Sequence, residues 1–261
     1  MAVDVHAHVT VDLPAQLTRA RRAGVTRTVL LSTHVHPEAA TDLAGLRAEF
    51  GRLGGVLAGE QSSLDRYRAA TAELTTALAA HPGESVGFVN VPLGLDEAAT
   101  GAWLADYLKR PDIVGIGELS PTPGQAEKIA PVLAVSADHG GLPVLVHGFA
   151  PHTAADLRTY AAMAARFPQV PVIVGALGGL NWMDLIELAL EHQNLFVDLS
   201  SALQVFAVRM AVQALPEQCL FGSNTPYGDV LAARCTVEAA VTDAALLDQV
   251  LSGNFTRLLS R

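Results

Sequence analysis

The stretch IVGIGELSPTPGQAEKIAPVLAVSADHGGLPVLVHG, residues 113–148, contains one complete unit of the pattern that decides the fold. Its apolar run at 113–119 predicts a strand, the segment 124–140 predicts a helix, and the apolar run at 142–148 predicts a second strand. Pro131 lies inside the helical segment and predicts two helical pieces. Both runs are apolar at nearly every position, which is typical of parallel strands that helices cover.

The same alternation extends along the whole chain and gives eight strand–helix units. The predicted strands lie at 3–9, 26–33, 85–93, 113–119, 142–148, 170–179, 194–201 and 219–226. This count favours an α/β fold, a (β/α)8 TIM-like barrel in a single domain over 1–261, although the alternation alone would also fit an open doubly wound sheet. We expect the segment 34–84 to be a helical insertion after strand 2 that lines the barrel mouth, with helices at 40–53 and 63–81 joined by a glycine-rich turn.

Composition restricts the classes of partner. The formal charge of −9 argues against nucleic acid, and no apolar run is long enough for a membrane span. The chain has 261 residues, enough for a sizeable core, and only two cysteines, Cys219 and Cys235. We therefore expect a cytoplasmic protein that acts on a small molecule; a homodimer stays open.

Polar residues follow or end most of the predicted strands, where a barrel places its chemistry. They are His6 and His8, His34 and His36, Asn90, Glu118, His147, Asp198 and Asn224. Two residues apart on a strand, His6 and His8 point to the same face, roughly 6–7 Å apart along it. The pair could therefore bind one ion through ring nitrogens, as zinc prefers, or it could be a pair of hydrogen-bonded core histidines.

Several motifs, in this order along the chain, resemble those of the metal-dependent amidohydrolase superfamily. They are DVHAHV (4–9), GIGEL (115–119), VLVHG (144–148), VIVGALGGLNWMDLIELALEHQNLFVDLSS (172–201), LFGSNTPY (220–227) and GNFTRLL (253–259). The most similar branch is the amidohydrolase-related one that also contains decarboxylases. The resemblance implies a barrel with a divalent metal at its mouth, usually zinc, with manganese as an alternative. It also implies that His6, His8 and His147 are metal ligands.

The chain departs from this family at two positions. Ala176 stands where the family usually has a histidine, and Asn224 stands where it usually has an aspartate that takes a proton from water. An asparagine amide cannot accept a proton at neutral pH, so the usual set of groups is incomplete. We expect Glu118 to compensate, because a glutamate at this strand contacts the metal in related hydrolases; a buried, paired carboxylate is the alternative.

The remaining strand-end residues receive expected roles. Glu118, His34 and Asp198 are assigned to catalysis, with Asp198 either orienting a ligand or capping the following helix. His36, Asn90 and Asn224 are assigned to substrate binding, with solvated loop histidines as the alternative for the histidines at 34 and 36.

The expected function is a metal-dependent hydrolase that acts on a small amide, ester, lactone or lactam through a metal-activated water. One alternative is a metal-dependent decarboxylase, which the missing histidine at position 176 disfavours. The other is a barrel that has lost catalysis and keeps a binding or structural role, as both departures would allow.

Overall fold

The structure, a computed structural model, describes residues 1–60 and 63–260 and has one eight-stranded parallel sheet whose strands follow chain order. The strands are β1 (Ala2–His8), β2 (Val25–Leu31), β3 (Ser85–Val89), β4 (Ile113–Leu119), β5 (Val144–Val146), β6 (Val172–Val174), β7 (Leu195–Asp198) and β8 (Cys219–Leu220). Each lies at least largely within a predicted apolar run, and β4 matches its run residue for residue. The predicted TIM-like barrel is confirmed.

Helices follow the strands and cover the outside of the sheet. They are α1 (Leu13–Arg22), α2 (Leu43–Leu57), α3 (Leu64–Ala80), α4 (Glu97–Leu104), α5 (Ala130–Asp138), α6 (Ala154–Arg166), α7 (Trp182–Glu191), α8 (Val205–Ala214), α9 (Val230–Ala240), α10 (Ala244–Asp248) and α11 (Asn254–Leu259). The predicted break at Pro131 is confirmed, because a 3₁₀ turn, Ala126–Ile129, precedes α5. In the described part of the chain, no helix is both long and apolar enough to cross a bilayer.

The insertion after β2 is smaller than the sequence predicts. Helix α3 packs against β2 and β3 and is therefore the barrel's own second helix. Only the loop after β2 and the helix α2 are additional to the barrel. Of the predicted turn between the two helices, Gln61 and Ser62 lie outside the described residues.

The barrel interior is packed with apolar side chains rather than open. The side chains of Val5, Phe88, Leu145, Ile173, Phe196 and Leu220 belong to one buried cluster. A side chain at Gly115 would overlap the ring of Phe88, so glycine at this position makes room for this phenylalanine. The polar residues at the carboxyl ends of the strands lie beyond this packed layer.

Backbone hydrogen bonds between the segment after β8 and β1 close the barrel. The amide of Val5 donates to Phe221 O at 2.9 Å, and the amide of His8 donates to Thr225 O at 2.7 Å. The buried carboxylate of Asp4 holds the same seam, because it accepts from Ser223 N at 2.9 Å and from Ser223 Oγ at 2.7 Å. One side chain on β1 therefore fixes the strand that carries both histidines of the HxH pair.

We expect Asp4→Ala to lower the free energy of unfolding by about 2 kcal/mol, because it leaves buried donors of Ser223 without their acceptor. Chemical denaturation of the variant measures this change. The control is Asp106→Ala, whose carboxylate pairs with Lys109 on the surface, and we expect no change in its denaturation midpoint. An equal effect of the two substitutions would contradict the role given to Asp4.

Candidate metal centre

Two imidazoles and one carboxylate meet at the carboxyl ends of β1 and β4. The Nε2 atoms of His6 and His8 lie 3.8 and 3.7 Å from Glu118 Oε2. One ligand atom from each of the three residues lies within 4.8 Å of the others. These separations exceed a hydrogen bond but match those of two atoms that share one cation at about 2.1 Å each, which are roughly 3–4 Å apart.

A buried carboxylate behind the site fixes the ring of His6. Asp198 Oδ2 lies 2.7 Å from His6 Nδ1, and the same oxygen accepts from Ala176 N at 3.0 Å. The amide and hydroxyl of Ser200 also donate to this carboxylate, at 3.0 and 2.5 Å. Asp198 is fully buried and does not cap the next helix, whose N-cap is Gln204. Its contacts fit the orienting alternative of the two that the sequence allows, and its catalytic role stays a prediction.

The hydrogen bond to Asp198 determines what the other nitrogen of His6 can bind. With the hydrogen on Nδ1, the neutral ring presents a lone pair at Nε2, which is buried and has no hydrogen-bond partner among the described residues. That lone pair faces the carboxylate of Glu118, so a positive charge must lie between them. The donor set therefore fits a divalent cation, which takes neutral imidazole and carboxylate ligands.

The charges of the side chains at the site also favour a bound cation. Burial alone lowers the pKa of the His6 imidazole, but the carboxylates of Asp198 and Glu118 outweigh it and raise this pKa to about 9. For His8, burial dominates and lowers the pKa to about 4. Burial favours a protonated Glu118, yet His6 and His147 hold the pKa of its carboxyl well below the usual range. Glu118 is therefore an anion that attracts a cation.

The end of β6 leaves room beside these donors. A Cβ on Gly175 would lie 3.3 Å from His6 Cε1 and 3.5 Å from Glu118 Oε1, so the glycine faces the site. Ala176, the position of the family's usual histidine, has a positive φ of 54° and uses its amide to contact Asp198. Its methyl group is buried and does not line the cavity. The missing histidine is therefore replaced by a buried methyl group and a backbone donor.

His147, predicted as a fourth ligand, contacts Glu118 rather than completing the group. Its Nδ1 lies 3.1 Å from Glu118 Oε1, and its Nε2 lies 3.4 Å from Ala150 O. Behind it lies His152, which the sequence analysis missed: the two rings are 5.2 Å apart. Burial and the neighbouring His147 lower the pKa of His152 to about 4, so it stays neutral. The ligand role of His147 stays a prediction.

A cavity of about 720 Å³ opens from this site, and four of the other predicted residues can be located relative to it. His34, Asn90 and Asn224 line the cavity, as does Glu118. His36 does not: its ring nitrogens face Glu38 at 3.2 Å and Glu73 at 3.9 Å. The cavity lining therefore gives no support to the substrate-binding assignment of His36, which stays a prediction.

Tyr227 also lines the cavity and was missed by the sequence analysis. Its ring lies 5.6 Å from that of His8, edge to face, and burial raises the pKa of its phenol far above the usual range, so it remains a donor. The motif LFGSNTPY contains this tyrosine three residues after Asn224. A turn between them brings both side chains to the same wall.

Comparisons with known proteins agree with this architecture. The amidohydrolase family model matches residues 3–261, and the chain belongs to this family. Comparison with curated protein sequences gives no match.

Three solved structures illustrate the similarity of fold. The 5-carboxyvanillate decarboxylase of Sphingomonas paucimobilis has a TM-score of 0.71 and 15% identity, covering 99% of this chain and 98% of its own. A dihydroxybenzoic acid decarboxylase of Polaromonas has a TM-score of 0.70 and 14% identity, covering 99% of this chain and 96% of its own. The 4-oxalomesaconate hydratase of Rhodopseudomonas palustris has a TM-score of 0.69 and 15% identity, covering 100% of this chain and 96% of its own. At these identities the similarity establishes the fold.

We expect one divalent cation per chain, and we expect His8→Ala and Glu118→Gln each to weaken its binding. The loss should exceed the roughly 10–100-fold that removal of an outer partner costs, because each substitution removes a donor atom itself. Competition with a metal-sensitive chelator measures the affinity for zinc and manganese. His139→Ala is the control, since this exposed histidine contacts Val135 O elsewhere. Unchanged affinity in Glu118→Gln would contradict the donor set.

We also expect Asp198→Asn to weaken metal binding about 10–100-fold, because an amide has one acceptor oxygen in place of two and cannot keep every donor of Asp198 satisfied. Ser200→Ala is the matched control: it removes the hydroxyl that donates to the same carboxylate and lies 3.5 Å from His6 Nδ1, and it leaves the bond between Asp198 and His6 in place. The same titration compares the two variants. If Ser200→Ala weakens binding as much, the contact with His6 is not what matters.

Proposed function

We propose that this protein is a metal-dependent hydrolase that acts on a small amide, ester, lactone or lactam. The observation that supports this most directly is the convergence of His6 Nε2, His8 Nε2 and Glu118 Oε2 at the floor of the cavity. These three residues would hold the cation, and zinc or manganese both accept such donors. A cation there supplies a more acidic water and a polarised carbonyl group.

The groups around the donors would bind and orient the substrate. Asn224 and Tyr227 line the cavity beside His8 and offer neutral hydrogen-bonding groups. Asn224 Oδ1 is buried and lacks a hydrogen-bond partner within the described chain, while its Nδ2 donates to Ser201 Oγ at 2.9 Å. Both would fix a small polar group next to the cation without adding charge.

His34 is the group we assign as proton acceptor. It lines the cavity, and burial together with the nearby Arg66 lowers the pKa of its imidazole, so it is neutral and able to take a proton. Glu118 is less suited, because its Oε2 faces His6 and its Oε1 faces His147. We therefore separate the two roles that the sequence analysis gave to Glu118 and assign it to cation binding.

Decarboxylation is the second candidate. Two of the proteins similar in fold are decarboxylases, and the Polaromonas enzyme contains bound manganese and the inhibitor 2-nitroresorcinol. The same donor set could hold manganese here. Against this candidate stands Ala176, which offers no side chain to move a proton to the reacting carbon.

We expect His34→Gln to lower kcat for a lactone or ester about 10²–10⁴-fold while the protein keeps its metal, because general base catalysis contributes roughly that much. A pH-indicator assay of acid release measures kcat, and the chelator titration shows that metal is retained. His36→Gln is the matched control on the same loop, and we expect little change from it.

The outcomes separate the candidate functions. Acid release from neutral lactones or esters, lost on chelation and restored by zinc or manganese, supports the hydrolase. Release of carbon dioxide from hydroxybenzoates without any lactone or ester turnover would favour the decarboxylase. No turnover by a fully metal-loaded protein would favour a binding role.

A further inference from the structure

The helix α2, which is additional to the barrel, has an apolar face that the rest of the protein covers only in part. Only Gly55 is buried among its fifteen residues. Leu46, Phe50, Leu53 and Leu57 follow one another at intervals of four, three and four residues, so they lie on one side of the helix. Such a stripe normally packs into a core. Here Phe50 is exposed and the three leucines are only half-buried, which indicates a missing occupant.

This stripe lines the cavity at the metal centre. Leu46, Phe50, Leu53 and Leu57 share that cavity with His8 and Glu118. An occupant that covers the stripe would therefore extend from the metal centre along α2. A small molecule can reach the metal centre and also cover the stripe. A second copy of the chain could cover only the outer part of the stripe.

The charges around the cavity select the kind of molecule. Among the described residues, no lysine or arginine lines the cavity, whereas Glu38 and Glu118 do line it. Arg52 and Arg66 line a neighbouring pocket instead, and Arg52 pairs with Glu49 at 2.7 Å. A carboxylate on the part of a ligand that lies against Phe50 and Leu53 would lose its water without gaining a cationic partner among the lining residues.

We propose that the substrate is electrically neutral and carries an aliphatic or aromatic group that lies along α2, against Phe50 and Leu53. The reaction assigned to this group of substrates rests on the proposed function, but the binding preference does not. Neutral esters, lactones and amides with an apolar tail meet the description. Di- and tricarboxylates do not.

The test uses ligands that cannot be hydrolysed, so that binding is measured apart from turnover. Methyl ketones of six to ten carbons present a carbonyl group and a neutral tail; the matching keto acids carry a carboxylate at the far end of the tail. Calorimetric titration of the metal-loaded protein gives the affinity for each. We expect the ketones to bind about fourfold more tightly per added methylene, and each keto acid to bind at least about 10-fold more weakly than the ketone of equal length.

Charge substitutions on α2 make the test specific. We expect Phe50→Arg to tighten binding of the keto acids about two- to fivefold and to weaken binding of the ketones. Phe50 is 52% exposed, so the longer side chain is tolerated, and Leu53→Arg repeats the test one turn further along the helix. The control is Leu43→Arg on the same helix, at a residue that is 61% exposed and does not line the cavity. It should leave the affinities for the ketones and for the keto acids within about twofold of those of the wild-type protein.

The results distinguish this inference from the proposed function. Ketone binding that tightens with chain length, together with no hydrolysis of any lactone, ester or amide, would leave the inference standing and remove the hydrolase. Wild-type protein that binds keto acids as tightly as ketones, or that shows no dependence on chain length, would overturn the inference. So would an equal effect of Leu43→Arg and Phe50→Arg, since it would place the ligand outside the cavity.

Discussion

The hydrogen bond between His6 and Asp198 is the interaction on which the candidate site depends. Asp198 ends β7, fully buried, and its carboxylate gathers donors from β1, from the turn after β6 and from the segment after β7. The chain just after β8 also adapts to it, because a side chain on Gly222 would overlap Asp198 Oδ1. A single carboxylate therefore sets the positions of four neighbouring strand ends relative to one imidazole.

The orientation of this imidazole leaves a buried electrostatic imbalance that either a proton on His6 or a bound cation resolves. His6 Nε2 and Glu118 Oε2 are 3.8 Å apart, two acceptor atoms facing each other when the ring is neutral. In the absence of metal, a proton on His6 satisfies the pair, which is why the carboxylates raise the pKa of this histidine despite its burial. A divalent cation offers more charge to the same atoms and also engages His8. The low pKa of His8 keeps its ring neutral and ready to bind.

The sequence predicts the fold and the strand-end residues well because the alternation of apolar and polar residues determines both. The HxH spacing placed His6 and His8 on one face, and parallel strands of consistent length brought Glu118 to the same rim. Contacts between distant parts of the chain were less accessible: the spacing of residues could not show that His36 turns toward Glu38 and Glu73. Nor could it show that the stripe on α2 lines a cavity, since the same periodicity describes a helix packed in a core.

The departure at Asn224 has a backbone explanation and an electrostatic consequence. Asn224 has a positive φ of 54°, a conformation that asparagine adopts more readily than most residues. Its backbone amide donates to His6 O at 2.7 Å. An aspartate here would add a second anion beside Glu118. With a neutral amide, two imidazoles and one carboxylate around a divalent cation leave a net charge of about +1, so the cation keeps more of its attraction for a carbonyl oxygen. With no lysine or arginine among its described lining residues, the cavity would then have its positive charge concentrated at a bound metal, which suits a substrate that is neutral except for the polarity of its reacting group.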